Sequence, residues 1–102
     1  MTALVESKLA EIAELCREHR VRRLDVFGSA AGEHFDPQTS DLDFLVEFLP
    51  LERGTQADTY FGLLEGLQAL FGRPVDLVMA RAIRNRYFLE AVEAGRKMLY
   101  AA

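Results

Sequence analysis

Two acids stand close together at the start of an apolar segment, in the stretch SDLDFLVEF at residues 40–48. Side chains alternate along a β-strand, so Asp41 and Asp43 project from the same face, roughly 6–7 Å apart. Two carboxylates at that distance repel each other by about 2.5 kcal/mol at an effective dielectric constant of about 20. A solvated strand end is the ordinary explanation of an isolated Asp-x-Asp pair. The alternative is a divalent cation between the two acids, and oxygen ligands without His or Cys favour Mg²⁺ or Mn²⁺.

A second group of residues favours the cation. Gly28 and Ser29 follow a short β-like run in VFGSA, where a short helix can begin. Glycine lets a backbone approach a ligand closely, and the N–H groups of a helix start bind phosphate oxygens together with a Ser hydroxyl. A third acid, Asp76, stands at the head of another apolar strand, in PVDLV. If that strand lies beside the strand of Asp41 and Asp43, three carboxylates converge, as a two-metal site for phosphoryl transfer requires.

An alternation of helices and strands is predicted to position these residues. Apolar periodicity predicts helices over residues 3–19, 55–71 and 82–94. Strands are predicted over 24–27, 42–48 and 74–80, with a last short strand in KMLYAA at the C-terminus. The order predicts one α/β domain over residues 1–102, in which a small mixed β-sheet is packed with helices.

Three expectations concern single positions in these elements. Thr55 and Asp58 have the spacing of a capping box at the start of a helix. The apolar stripe of that helix is expected to consist of Phe61, Leu64, Leu67, Leu70 and Phe71. Asp25, on the strand before Gly28, is expected to be a sheet-edge residue and not a metal ligand.

Composition excludes several classes of function. The chain has 102 residues, of which 50% are hydrophobic, so it can bury a core. Its net charge is −4 and it has no basic block, which argues against a protein whose main role is to hold nucleic acid. The apolar runs are too short to span a bilayer, and there is no signal-peptide pattern. The single cysteine, Cys16, is expected to be a buried hydrophobe. These features predict a soluble cytoplasmic protein.

The stretch GSAAGEHFDPQTSDLDFLVEF resembles the signature of the polymerase-beta-like nucleotidyltransferase superfamily, a Gly-Ser followed by an Asp-x-Asp strand. Asp76 falls where that superfamily places its third acid. The resemblance covers nearly the whole chain, because the shortest members, the minimal nucleotidyltransferases, contain little more than this core. It implies the palm-like nucleotidyltransferase fold.

The resemblance also implies a role for each matching residue. Gly28 and Ser29 would hold the β- and γ-phosphates of ATP. Asp41 and Asp43 would bind Mg²⁺ (or Mn²⁺). Asp76 would complete the metal site and help to activate the acceptor hydroxyl, whose attack on the α-phosphate releases pyrophosphate.

The chain departs from the family pattern after Gly-Ser, where many members have an arginine and this chain reads AAGEH. Without that arginine, triphosphate binding would be weaker or would use Arg81, Arg84 or Arg86, but these three arginines are expected instead to cover the surface of the last helix. His34, in the loop, is expected to be incidental to catalysis.

The resemblance implies a partner as well. Minimal nucleotidyltransferases are typically found beside a HEPN-class ribonuclease toxin, so the chain would be an antitoxin that transfers AMP from ATP to a tyrosine of its toxin within a hetero-oligomer. Direct nucleic-acid and membrane binding are not expected. Two alternatives stay open: an antitoxin that acts by binding alone, with a vestigial nucleotide site, and a nucleotidyltransferase for a small molecule. Three intact acids favour activity over a vestigial site.

Overall fold

The computed structural model describes residues 1–32 and 41–102 of the chain. Its helices are α1 (Ala3–Glu6), α2 (Leu9–Glu18), α3 (Gln56–Phe71) and α4 (Arg86–Gly95). Its strands are β1 (Val21–Phe27), β2 (Leu42–Phe48), β3 (Val75–Met79) and β4 (Lys97–Ala101). Short 3₁₀ turns follow β1 at Gly28–Ala31 and β3 at Ala80–Ala82. Within these residues, no helix combines the length and the apolar character that a bilayer crossing needs.

The four strands form one mixed sheet in the order β3-β2-β1-β4. β1 is antiparallel to both β2 and β4, whereas β2 and β3 run parallel. The starts of β2 and β3 therefore meet the end of β1 at the same end of the sheet. The predicted mixed sheet is confirmed, and so is the C-terminal strand, which completes the sheet beside β1.

One face of the sheet carries the main hydrophobic core. Alternate residues of β2 and β1 point to this face and pack against α1, α2 and α3, whose buried residues are Val5, Ile12, Cys16, Leu63, Leu67 and Phe71. Cys16 is buried, as expected, and that burial raises the pKa of its thiol to about 12. The thiol is thus a packing group and not a nucleophile.

The opposite face is covered in part by α4. Val92 of α4 packs with Phe27 of β1 and Leu45 of β2 in a second, smaller hydrophobic cluster. The ring of Phe88 meets that of Phe27 edge to face, with centroids 6.1 Å apart. This face is the one that carries Asp43, because side chains two residues apart on β2 share a face.

Asp25 is not a sheet-edge residue, so that expectation is wrong. β1 is an inner strand, and the Asp25 side chain is fully buried under α4. Its carboxylate accepts from Arg96 at the end of α4 and from Arg23 Nε at 2.9 Å. A buried charge is stable only when it is paired, so Asp25 serves the fold by anchoring α4 and the approach to β4.

Helix starts differ from the expectations because local hydrogen bonds decide them. The Thr55 hydroxyl donates to the Glu52 carbonyl at 2.7 Å and caps nothing, so the expected capping box is absent. α4 begins at Arg86 and not at residue 82, since Asn85 Oδ1 accepts from the backbone N–H of Tyr87 at 2.8 Å and of Phe88 at 3.2 Å. Both are short-range effects that apolar periodicity does not report.

The remaining differences concern the extent and phase of the predicted elements. The helix predicted over residues 3–19 is divided into α1 and α2, and β1 begins at Val21, before the predicted residue 24. The apolar stripe of α3 is shifted, since Leu63 is fully buried while Phe61 is 56% exposed. Gly72 ends α3 in a left-handed conformation (φ 63°), as its position predicts.

Candidate active site

The parallel pairing of β2 and β3 places two of the three candidate acids side by side. Asp43 and Asp76 are direct partners in the β2–β3 register. Adjacent strands lie about 4.8 Å apart, and both side chains share the face on which Leu45 and Val78 pack. Asp41 lies exposed immediately before β2, two residues from Asp43. The strand of Asp76 was predicted to lie beside the strand of Asp43, and this prediction is confirmed. The convergence of the acids depends on this pairing.

The pKa of Asp43 depends on its burial and on the two neighbouring acids. Partial burial of this carboxyl, together with the negative charges of Asp76 and Asp41, raises its pKa to about 6. Burial is the largest cause, and repulsion from Asp76 comes next. Both effects disfavour the charged form, and the attraction of a nearby cation would oppose them.

Gly28 lies directly against the Asp43 carboxylate. It opens the 3₁₀ turn after β1 with φ 68°, a left-handed conformation that favours glycine. A Cβ atom at this position would lie 2.6 Å from Asp43 Oδ2, closer than any real contact allows. Ser29 follows and is partly exposed. The turn that is expected to hold phosphate therefore contacts Asp43, one of the acids that are expected to hold metal.

The donor set fits a hard divalent cation. Three carboxylates supply oxygen ligands of the kind that Mg²⁺ prefers, and their mutual repulsion would become attraction. Within residues 1–32 and 41–102, no group of three or more His, Cys, Asp or Glu side chains is already drawn together closely enough to hold a metal. The backbone register therefore fixes the Asp43–Asp76 pair, and the carboxylates would have to turn towards an ion.

Tyr60 of α3 supports the site from the other face, and the sequence analysis missed it. Its hydroxyl donates to the backbone carbonyl of Leu77, the residue after Asp76. Burial and the charge of Asp76 raise the pKa of this phenol, so it stays a hydrogen-bond donor. Tyr60 thereby ties β3 to α3 beside the third acid. A tyrosine on an otherwise apolar helix face was the signal in the sequence.

Of the arginines considered for triphosphate binding, Arg81 lies away from the acids. Arg81 lines a cavity at the carboxyl ends of β2 and β3, the far end of the sheet. Arg84 precedes α4, and Arg86 is its first residue; both are exposed. His34 lies outside the described residues.

Known proteins resemble this chain in sequence and in fold. Residues 9–99 match the nucleotidyltransferase domain family. A curated relative from Methanocaldococcus jannaschii, "Putative protein adenylyltransferase", is 33% identical over 94 residues, covering 83% of this chain and 91% of the relative. A solved structure of a "putative minimal nucleotidyltransferase" superposes with a TM-score of 0.70 at 32% identity, covering 90% of this chain and 89% of its own.

Toxin–antitoxin complexes share the fold at lower identity. A chain of the complex between a tri-AMPylated Shewanella oneidensis HEPN toxin and an MNT antitoxin gives a TM-score of 0.65 at 20% identity, covering 96% of this chain and 73% of its own. A toxin–antitoxin structure with AMP-PNP gives 0.67 at 22% identity, covering 92% and 73%. These matches show the same fold.

Proposed function

Because the chain belongs to the nucleotidyltransferase domain family, we propose that it is an antitoxin that transfers AMP from ATP to a tyrosine of a HEPN-type toxin. The relative named as a protein adenylyltransferase supports protein as the acceptor. The fold shared with an MNT antitoxin, whose HEPN toxin partner is tri-AMPylated, supports the partner class. Mg²⁺ is the proposed cofactor and ATP the proposed donor.

The observation that carries the proposal is the contact between Gly28 and Asp43, with Asp76 as the strand neighbour of Asp43. A phosphate held by the backbone of the Gly28–Ser29 turn would lie beside Asp43 and close to its strand neighbour Asp76. Such an arrangement serves phosphoryl transfer, in which anionic phosphate must be brought close to metal-binding acids.

The proposed roles follow from these positions. The Gly28 backbone and the Ser29 hydroxyl would hold the β- and γ-phosphates, while Asp41, Asp43 and Asp76 would hold Mg²⁺. Bound there, the ion would neutralise the charge that develops on the transferred phosphoryl group. An acceptor oxygen would attack the α-phosphorus from the side of Asp76, form the new P–O bond and lose its proton. The bond to the β-phosphate would break, and pyrophosphate would leave past the Gly28–Ser29 turn.

Among the residues that the structure describes, the exposure of Asp41 and Asp76 is consistent with a protein acceptor. A tyrosine hydroxyl has a pKa of about 10, so it needs a metal or a base to become a good nucleophile. Exposed Asp76 lies where an incoming side chain could be activated. A second chain that supplies the tyrosine would complete the site.

The proposal is tested by incubating the chain with its toxin, ATP and Mg²⁺ and measuring the mass of the intact toxin. One or more adenylyl groups should appear on the toxin and map to tyrosine, and Asp43→Ala should abolish the mass shift. Glu65→Ala, which removes an exposed acid on α3, is the control and should retain it.

Binding without catalysis makes a different prediction. If the Asp41→Ala/Asp43→Ala double variant silences the toxin as well as the native chain does, with no mass shift in either reaction, then complex formation alone neutralises the toxin. That result would overturn AMP transfer and leave the antitoxin role intact.

A further inference from the structure

A cavity at the far end of the sheet from the three acids collects cationic side chains. It has a volume of about 460 Å³ and is lined where β2 ends, along the loop that leads to α3, and at the turn after β3. Among the described residues that line it are Arg22, Arg53 and Arg81 and a single acid, Glu52. This local excess of positive charge is opposite in sign to the net charge of the chain, −4.

The three arginines are not neutralised by the part of the chain that the structure describes. Ion pairs there involve Arg23 and Arg96, not these three. All three residues are exposed at the cavity. A guanidinium group offers a planar pair of N–H donors that matches a phosphate or carboxylate. Three arginines around one cavity, with no ion pair among the described residues, therefore favour an anionic ligand.

The start of α3 adds to the positive potential. Gln56, the first residue of this 16-residue helix, lines the cavity. Thr55 gives its hydroxyl to the Glu52 carbonyl, so no side chain of Thr55 caps the first N–H groups of α3. The positive end of the helix dipole therefore faces the same region.

The rest of the wall is apolar. Phe48 and Met79 both line the cavity and are only partly buried by the fold. A ligand that used the whole cavity would thus join an anionic group to an apolar body. The volume falls within the range of about 300–1,000 Å³ that is common for small-molecule sites.

We propose that this cavity binds a small phosphomonoester that carries an aromatic ring. The site is separate from the three acids, since Asp43 and Phe48 lie about 16 Å apart along β2. Arginines supply the charge here, so binding requires no Mg²⁺. Binding at this cavity does not depend on the function proposed above.

Phenyl phosphate is a suitable probe, because it has the required phosphate and ring but no ribose or base. Titrated into the chain in EDTA and followed by NMR, it should produce saturable shifts at the amides of Gly54 and Gln56 and at the Met79 methyl group, and none at Gly28. Inorganic phosphate should bind at least tenfold more weakly, and phenol should produce no saturable shift.

Variants that replace an arginine with glutamate show whether phenyl phosphate binds in this cavity. Arg81→Glu should weaken phenyl phosphate binding at least tenfold, and Arg53→Glu provides the same test if the first variant does not fold. Arg17→Glu, an equal charge change at an exposed position on α2, should leave the affinity unchanged. The proposal is overturned if no saturable shift occurs at the cavity, if the shifts centre on Gly28, or if all three variants lose affinity equally.

Discussion

Any side chain at Gly28 would be unfavourable for two reasons, the backbone conformation and the contact with Asp43. Its left-handed backbone disfavours any side chain by about 1–2 kcal/mol, and a Cβ atom would collide with Asp43 Oδ2. We expect Gly28→Ala to lower the free energy of unfolding by about that amount and to weaken binding of a non-hydrolysable ATP analogue with Mg²⁺ at least tenfold. Calorimetric titration and urea unfolding measure the two effects.

Gly72 provides the matched control for this prediction. It has nearly the same backbone conformation (φ 63°), but a Cβ atom there would meet nothing within 4 Å. Gly72→Ala should therefore cost a similar amount of stability and leave nucleotide affinity unchanged. Equal nucleotide affinity in both variants would contradict a role for Gly28 at the phosphates.

In the absence of metal, Asp43 makes the free energy of unfolding depend on pH. Its pKa in the folded state is about 6, above the ordinary value of 3.8, so the folded state binds this proton more tightly than the unfolded state does. The associated stabilisation is complete below pH 3.8 and is lost as the pH rises through 6. We expect the unfolding temperature of Asp43→Asn, relative to the native chain, to increase between pH 4 and pH 7 when both are measured in EDTA.

Mg²⁺ should restore the stability that the native chain loses when Asp43 is deprotonated. At pH 7 the ion would compensate the repulsion among the acids, so it should raise the unfolding temperature of the native chain more than that of Asp43→Asn. Glu65→Gln changes the net charge equally at an exposed position on α3 and is the control. A difference between variant and native chain that stays constant with pH would contradict the coupling of the three acids.

How much of the site could be read from the sequence differs from residue to residue. Strand alternation predicts Asp41 and Asp43 on one face; in the structure Asp43 belongs to β2, and Asp41 lies immediately before that strand. The contact between Gly28 and Asp43 could not be predicted, because it depends on the antiparallel register of β1 and β2. Register is a property of two strands together, and neither sequence pattern contains it.

At the scale of elements, α4 is held to the sheet by one buried ion pair and a small apolar cluster. Arg96→Met would leave the Asp25 carboxylate with Arg23 as its remaining partner. We expect it to lower the free energy of unfolding by about 2–3 kcal/mol, less than the roughly 3–5 kcal/mol found when a buried charge loses its only partner. Arg86→Met, at the exposed start of the same helix, should change it by less than about 0.5 kcal/mol. Urea unfolding of both variants distinguishes a structural role for the pair from a surface charge effect.

The elements themselves were largely predictable, whereas the role of Asp25 was not. Apolar periodicity and turn residues predict every strand of the sheet, including β4. An acid in an apolar strand is normally an edge residue or a ligand, and the arginine that reverses this expectation lies 71 positions away. Such long-range pairing is fixed by the tertiary fold and leaves no local pattern.

At the scale of the whole molecule, α4 exposes apolar side chains next to the proposed site. Tyr87 is 81% exposed, and Phe88 beside it contacts Phe27, the residue before Gly28. A toxin that presents a tyrosine to Asp76 would pass this surface. We expect Tyr87→Ser to preserve the thermal stability of the chain and to weaken the complex with the toxin at least tenfold, as measured by surface plasmon resonance.

Phe61 offers a comparison on the other side of the sheet. It is also an exposed aromatic residue, but it belongs to α3, which packs on the opposite face from α4. Phe61→Ser should leave the affinity for the toxin unchanged. If both variants bind the toxin as tightly as the native chain, the partner approaches from another direction.

The ion pair between Asp25 and Arg96 also has a consequence for a chain that is still being made on the ribosome. Asp25 emerges 71 residues before Arg96, and β4 emerges later still. Until then β1 has no neighbour on one side, and its inward-facing carboxylate lacks its second arginine. Burial of Asp25 before Arg96 is available would leave its charge incompletely paired. The nascent sheet is therefore expected to stay open until then. Completion of the fold is coupled to the arrival of the last strand.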